Sequence, residues 1–430
     1  MRRAKRLVAA ALALLLAAGA AALYALNHLD EQPRAEAGAG PATAAPALVA
    51  RGAYLARAGN CQGCHSARGG PAWAGGRAVP TPFGPVFSSN LTPDPDTGLG
   101  RWSADDFWAA LHNGRGRDGR LLAPAFPYAN YTLISRADAD ALHAYLRSLP
   151  AVVQPNRPPQ LRFPYGTQLA LAVWRAVSFR PGEFRPRPEQ DAGWNRGAYL
   201  SQGLGHCNAC HGARNALGAT AGPAEFSGGM LAGLGWYAPS LQDDTEAGVT
   251  NWPAQTLVEW LKTGRNGHAS ALGPMSEVIL GSTQHLDEAD LAAMARYLQS
   301  LPPRARPRAA PPAPGPELLR AREQGGRLYA AQCARCHGER GEGVAGAYPA
   351  LAGNRTVLMD NPANLLRVIE RGGFAPATAG NPRPFGMPPF ATLLDDGEMA
   401  ALASYLRHSW GHAAGDVRPV DVLRLKPDRH

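Results

Sequence analysis

The chain has 430 residues, 45% apolar and 18% charged, which excludes a disordered or collagen-like polymer and sets an expectation of two to four domains. Its 43 basic and 34 acidic residues give a formal charge of +9, and every basic residue except Lys5, Lys262 and Lys426 is Arg. The 49 Gly and 39 Pro predict plentiful loops and linkers.

In chain order, Arg2, Arg3, Lys5 and Arg6 precede an apolar run over 7–26. As a helix that run reaches about 30 Å, the thickness of a bilayer core. The leading cations stay on the cytoplasmic side, so everything after Leu26 is exported. Small residues at 18–22 suit a signal peptidase, so 1–30 is read as either a cleaved signal peptide or a retained membrane anchor. Residues 31–47 are an Ala/Gly/Pro-rich linker.

Residues 48–150 form the first of three similar segments, with RGAYL at 51–55, CQGCH at 61–65 and a closing ALHAYLRSL at 141–149. A Pro-rich linker follows over 151–192; it includes an apolar, helix-like stretch at 168–177 that either packs between domains or lies on a membrane or partner. The second segment, 193–302, repeats the order with RGAYL at 196–200, CNACH at 207–211 and AMARYLQSL at 293–301. The linker 303–318 overlaps PPRARPRAAPPAPG at 302–315, which reads as extended and stiff. The third segment, 319–412, carries GRLY at 326–329, CARCH at 333–337 and ALASYL at 401–406. A charged tail at 413–430 is no second membrane span. The closing segments place apolar residues three and four apart, the pattern of a helix packed on a core. Start and end signals recurring about every hundred residues predict three homologous domains rather than a short-period solenoid. Strand signals are weak, so the expected class is all-α with long loops.

All six cysteines, Cys61, Cys64, Cys207, Cys210, Cys333 and Cys336, fall in C-x-x-C-H motifs. With 12 His in the chain, one follows a given Cys pair by chance only about 3% of the time. Structural zinc wants four closed ligands, and each segment has a single Cys pair. A redox disulfide has no use for the recurrent His. Covalent c-type haem uses all three residues: the thiols add to the vinyl groups, and the His, one helical turn after the first Cys, meets the iron on the same face. Three c-type haems, ligated by His65, His211 and His337, therefore explain every cysteine. Their propionates lower the net charge to roughly +6, so a nucleic-acid partner is not implied.

A sixth ligand is sought among the methionines, since Met ligation raises the haem potential. Met387, in FGMPP at 385–389, is preferred over Met359 and Met399; Met275, in GPM at 273–275, is preferred over Met230 and Met294. The first segment has PAFPY at 124–128 in the matching place, and no Met lies between Met1 and Met230. The candidates there are His112, His143, Tyr128, water or nothing. The expectation is a five-coordinate or weakly ligated first haem of lower potential, its distal face covered by Phe126.

With these motifs, the chain resembles the tri-haem cytochrome c subunit of membrane-bound bacterial alcohol, gluconate, sorbitol and aldehyde dehydrogenase complexes. The resemblance spans about 48–412 and rests further on NLTPD at 90–94 with Gly98, Gly100 and Trp102, on WNRGAYL at 194–200, on GLGHC at 203–207, and on Met275 followed by STQH at 282–285. It implies three tandem class I cytochrome c domains. It also implies a subunit at the periplasmic face that takes electrons from a catalytic dehydrogenase subunit, whether quinoprotein, flavoprotein or molybdenum enzyme, and passes them to ubiquinone in the membrane. In that family a Met stands where this chain has Phe126.

The leading reading is thus an electron-transfer subunit with no catalytic residues of its own. No G-x-G-x-x-G nucleotide loop follows a strand pattern. Asp94, Asp96, Asp105 and Asp106 fit turns and a helix start more simply than a calcium site, and Trp73, Trp102, Trp108, Trp236 and Trp252 fit core and pocket packing. The alternative is a haem enzyme that reduces or binds peroxide, nitrite or nitric oxide at an open first haem, with Arg115, Arg117 and Arg120 nearby in sequence. A periplasmic shuttle feeding a terminal oxidase is a third.

Overall fold

The computed structural model describes residues 2–28, 44–231, 233–247, 249–267, 269–304 and 315–426. Most of the expected linkers 31–47 and 303–318 falls outside these residues. The fold is mostly helical, and its residues group into two units: Met1–Leu55 with Cys64–Arg185 and Asn215–Pro223, and Ala56–Gly63 with Pro186–Arg214 and Ala224–His430.

The first unit opens with α1 (Arg2–Asn27), exposed along most of its length and buried only at Asn27. Among the described residues it is the one helix long and apolar enough to cross a membrane. Helix α2 (Pro46–Ala58) leads to the single turn α3 (Cys61–Cys64). Helix α4 (Ala104–Asn113) starts at a capping box, in which the Ser103 hydroxyl accepts from the Asp106 amide and the Asp106 carboxylate accepts from the Ser103 amide. It stops at Gly114, whose φ of 58° and contact with the Tyr128 ring leave no room for a Cβ. After α5 (Tyr128–Tyr131), α6 (Arg136–Arg147) crosses α2 so closely that a Cβ on Gly52 would come 1.9 Å from the Ala141 carbonyl oxygen. The Arg51 Nε donates to Asp138 on α6 at 2.7 Å and fixes the same crossing.

The Pro-rich stretch from 151 is held down rather than free. Gln160 and Arg162 donate backbone amides to the carbonyls of Pro85 (2.9 Å) and Phe83 (2.8 Å), and the buried Asn90 side chain donates to the Val152 carbonyl (2.8 Å). The helix-like stretch read at 168–177 is α7 (Gln168–Ser178), capped by the Thr167 hydroxyl.

The second unit repeats the crossing twice. Helix α8 (Ala192–Tyr199) runs into a π turn (Leu200–Leu204) and is followed by α9 (Asn208–His211), α10 (Ala254–Thr263), α11 (Pro274–Gly281) and α12 (Glu288–Gln299). Then come α13 (Pro316–Gln332), α14 (Ala334–His337), α15 (Arg355–Leu358), α16 (Ala363–Arg371), α17 (Asp396–His408) and α18 (Pro419–Leu425). Where α8 meets α12, a Cβ on Gly197 would lie 1.9 Å from the Ala293 oxygen; where α13 meets α17, one on Gly325 would lie 2.1 Å from the Ala401 oxygen. Arg196 makes a two-pronged bond to Asp290 on α12 at 2.8 and 2.7 Å, the counterpart of Arg51 with Asp138. Helix α18, in the segment expected as a tail, buries Val422 in the core around Leu402 and Leu406.

Two further ties build this unit. Asn364 of α16 exchanges two hydrogen bonds with the Tyr237 backbone, at 2.9 and 2.7 Å. Residues 56–63 rest on the end of α11: the Ser282 hydroxyl donates to the Ala58 carbonyl at 2.9 Å, and Gly281 leaves space for the Asn60 side chain.

Among the described residues, three small antiparallel ribbons were not legible as strands: β1 (Ala78–Val79) with β2 (Val86–Phe87), β3 (Gly229–Leu231) with β4 (Trp236–Ala238), and β5 (Gly373–Phe374) with β6 (Gly386–Met387). At two or three residues each, they are too short to display an alternating pattern.

Candidate functional site

At each C-x-x-C-H motif the two thiols sit on one helical turn and the His follows directly. All six cysteines are free of disulfides. Burial pushes the Cys207 thiol up to about 12 and the Cys333 thiol up to about 11. Apolar surroundings of this kind suit thiols that end as thioethers rather than as thiolate nucleophiles.

The three histidines are held in one way. His65 Nδ1 lies 2.7 Å from the Ser89 carbonyl oxygen, His211 Nδ1 2.7 Å from that of Pro239, and His337 Nδ1 2.9 Å from that of Pro349. A carbonyl can only accept, so each Nδ1 carries the proton and donates, leaving the Nε2 lone pair for a metal. Burial holds all three imidazoles below the usual histidine range, with the carbonyl bond opposing it. Neutral, oriented imidazole is the form that ligates iron.

The backbone behind each ring is fixed as well. The His65, His211 and His337 carbonyls accept from the amides of Gly75 (2.9 Å), Gly228 (2.7 Å) and Gly343 (2.7 Å). These glycines have φ of 74°, 79° and 67°, and a Cβ on any of them would come within 2.7 Å of the backbone that supplies the ring's carbonyl partner. Only Gly permits the left-handed conformation and this approach together. Free thiols, a neutral His and a clamped ring are the donor set that covalent haem c requires, and the residues present fit that group.

The methionines sort by burial. Met294, Met359 and Met399 are 3%, 3% and 2% exposed and belong to packed cores. Met230 is exposed on β3, where its sulfur accepts from Asn361 Nδ2 at 3.5 Å. Met275 is half-buried in the first turn of α11, behind Gly273, whose φ of 55° lets the backbone lie on the Trp236 indole. Met387 is half-buried in β6 and packs on the core cluster that contains Tyr329 and Cys333.

In the first segment, Phe126 is half-buried with its ring 5.3 Å from that of Tyr131. The other side chains considered there have structural work. His112 is 2% exposed, stacks on Trp108 at 4.4 Å and has its Nδ1 3.0 Å from the Thr132 carbonyl oxygen. That bond is the counterpart of the one from Lys262, at the matching place of α10, to the Leu286 carbonyl. His143 lies on Phe107 with ring centroids 5.4 Å apart. Tyr128 is fully buried between Gly114 and Phe179, and burial pushes its phenol up to about 12. Arg115 donates to the Gly119 carbonyl, Arg117 pairs with Asp106 and Arg120 with Asp118. Asp94 accepts from the amides of Asp96 and Thr97 and from the Thr97 hydroxyl, which holds its carboxyl below the usual range. Trp73, at φ 66°, packs edge-on to Tyr145 of α6 with centroids 5.7 Å apart.

The cytochrome c family profile matches residues 49–150 and 323–410. Over 401 residues the chain is 37% identical to the cytochrome c subunit of the quinone alcohol dehydrogenase of Gluconacetobacter polyoxogenes, covering 88% of this chain and 84% of that one. It is 36% identical to the gluconate 2-dehydrogenase cytochrome c subunit of Pantoea cypripedii, covering 89% of this chain and 90% of that one. It is 34% identical to the fructose dehydrogenase cytochrome subunit of Gluconobacter japonicus, covering 90% of this chain and 84% of that one.

Proposed function

From the premise that the chain belongs to the family of cytochrome c subunits of alcohol, gluconate and fructose dehydrogenases, we propose that it is a three-haem relay between a catalytic dehydrogenase subunit and membrane ubiquinone, working at the periplasmic face. One observation carries the count of three. The clamp of His Nδ1 on a carbonyl and a left-handed Gly on the His carbonyl recurs at His65, His211 and His337, although the family profile leaves the middle motif unmatched. The close Gly-to-Ala helix crossing also recurs three times, which supports three domains of one kind at 48–150, 193–302 and 319–412.

Bound haem supplies reversible one-electron storage, and the protein sets its potential. In this reading the six thiols would hold the haems covalently, the His65, His211 and His337 Nε2 atoms would ligate iron, and the Met275 and Met387 thioethers would be further ligands at the second and third sites. The Gly273 and Gly372 turns support the two methionine loops: a Cβ on Gly372 would come 2.1 Å from the Met387 oxygen. Phe126 offers no donor atom, so the first site has the lowest potential of the three.

The test is stoichiometry joined to turnover. A pyridine haemochrome assay on the purified chain should give three haems per polypeptide, and two when Cys207→Ala and Cys210→Ala are combined. With the catalytic subunit and its substrate, the wild-type chain should support quinone reduction. Two haems in the wild-type chain, or no loss in the double variant, would overturn the count.

A further inference from the structure

A signal peptide is a disposable segment, yet the end of α1 is built into the first unit. Asn27 is 6% exposed, whereas residues 2–22 of α1 lie open. Its side-chain amide donates to the Leu23 and Ala172 carbonyls at 2.9 and 3.0 Å, its side-chain oxygen accepts from Arg175 Nε at 3.0 Å, and its backbone carbonyl accepts from Arg115 at 2.9 Å. Arg175 is itself 3% exposed, donates also to the Asn113 carbonyl and lies 4.8 Å over the Phe179 ring. A buried guanidinium needs its acceptors, so a cut beyond residue 27 would strip one from Arg175, whereas a cut at 18–22 would leave this tie in place. The apolar run ends at Leu26, so Asn27 also marks where a spanning helix would leave the lipid.

Helix α7 meets α1 at that exit point, since the Ala172 carbonyl in its middle takes the Asn27 bond. The inner face of α7 buries Leu171 and Arg175, while Leu169, Val173 and Val177, spaced by four, are 67%, 48% and 67% exposed on the other side. Just before the helix, Phe163 is 88% and Tyr165 43% exposed. Exposed Arg162 and Arg180 flank this stripe at its two ends. An apolar row with aromatic neighbours and Arg at its limits, continuous with a membrane-length helix, has the make-up of a segment seated among lipid headgroups.

We propose that α1 stays on the mature protein as a membrane anchor and that the Leu169–Val173–Val177 face of α7 lies in the headgroup layer of the bilayer α1 spans. The proposal rests on the membrane reading above and deepens it. It places the first unit against the bilayer surface by two separate contacts.

The test uses the full haem-loaded chain purified from membranes and placed in phosphatidylethanolamine/phosphatidylglycerol vesicles containing a diazirine phospholipid. Intact mass should include residues 2–28, and photolysis should label peptides from both 2–27 and 163–177. In a Leu169→Glu, Val173→Glu, Val177→Glu variant, labelling of 163–177 should fall at least fivefold while that of 2–27 is unchanged. A mature chain that starts at or beyond residue 18, or labelling of α1 with none at 163–177, overturns the proposal. If the wild-type 163–177 is labelled only when the catalytic subunit is absent, that face belongs to the partner and the proposal also fails. If α1 is retained and neither segment is labelled, the membrane reading itself falls.

Discussion

Replacing Gly325 with Ala is the most direct probe of the helix crossing. The added Cβ would sit 2.1 Å from the Ala401 oxygen and 2.7 Å from its carbon, where ordinary contact begins at 3.4 Å. Helix α17 must therefore retreat by about 1.3 Å at a rigid backbone carbonyl. Overpacking of side chains costs roughly 1–3 kcal/mol, and a backbone obstacle belongs at the upper end of that range. Ala in place of Gly returns about 1 kcal/mol through helix preference, leaving a net loss of about 2 kcal/mol or more. For a unit of this size that lowers Tm by about 4–8 °C. Gly326 is the internal control. It lies on the same helix with the same preference gain, but its Cβ would meet the ring edge of Tyr405 at 3.1 Å, which can swing aside. Thermal unfolding followed by far-UV circular dichroism should show Gly325→Ala well below wild type and Gly326→Ala within about 2 °C of it. Equal melting of the two variants would refute the close crossing.

The remaining predictions address the sites and the surface. Met387→Leu keeps the volume beside Tyr329 and Cys333 but removes the thioether, so a spectroscopic redox titration should lose one high-potential step while retaining three haems. Phe126→Met should add a thioether at the first site and raise its potential; an unchanged titration would remove Phe126 from the sixth-ligand place. Arg322 donates to His408 Nε2 at 2.9 Å, a bond that requires neutral imidazole, and burial followed by the Arg322 charge holds His408 below the usual range. Because the unfolded chain takes up this proton first, the folded form loses stability as pH falls below about 6.5 toward the depressed folded value. Melting curves from pH 7.5 to 5 should show a steeper loss for wild type than for His408→Gln, with Arg322, Arg407 and Asp416 as the facing charges.

Sequence reveals the parts of these sites that chemistry spaces rigidly and conceals the parts that only backbone supplies. Two thioethers and one imidazole demand C-x-x-C-H, so the cysteines and histidines proposed to hold haem stand out in the chain. The clamp behind the imidazole is not. Its acceptors are carbonyls of Ser89, Pro239 and Pro349, three different residue choices lying 24, 28 and 12 residues from their histidines. A main-chain acceptor asks nothing of the side chain, so no shared letter marks it. Gly75, Gly228 and Gly343 do share a letter, but their distances from the histidines differ because each intervening loop is its own length. Among the methionines, Met294, Met359 and Met399 sit in apolar surroundings that read as core, and they are buried, while Gly and Pro beside Met275 and Met387 mark turns. The tie of Asn27 to Arg175 was hidden for a different reason: it joins an apolar leader to a Pro-rich spacer 148 residues away, two segments that local patterning assigns to export and to linkage. Both earned their place in the fold through one buried charge, and a buried charge reveals its partner only once the chain is folded.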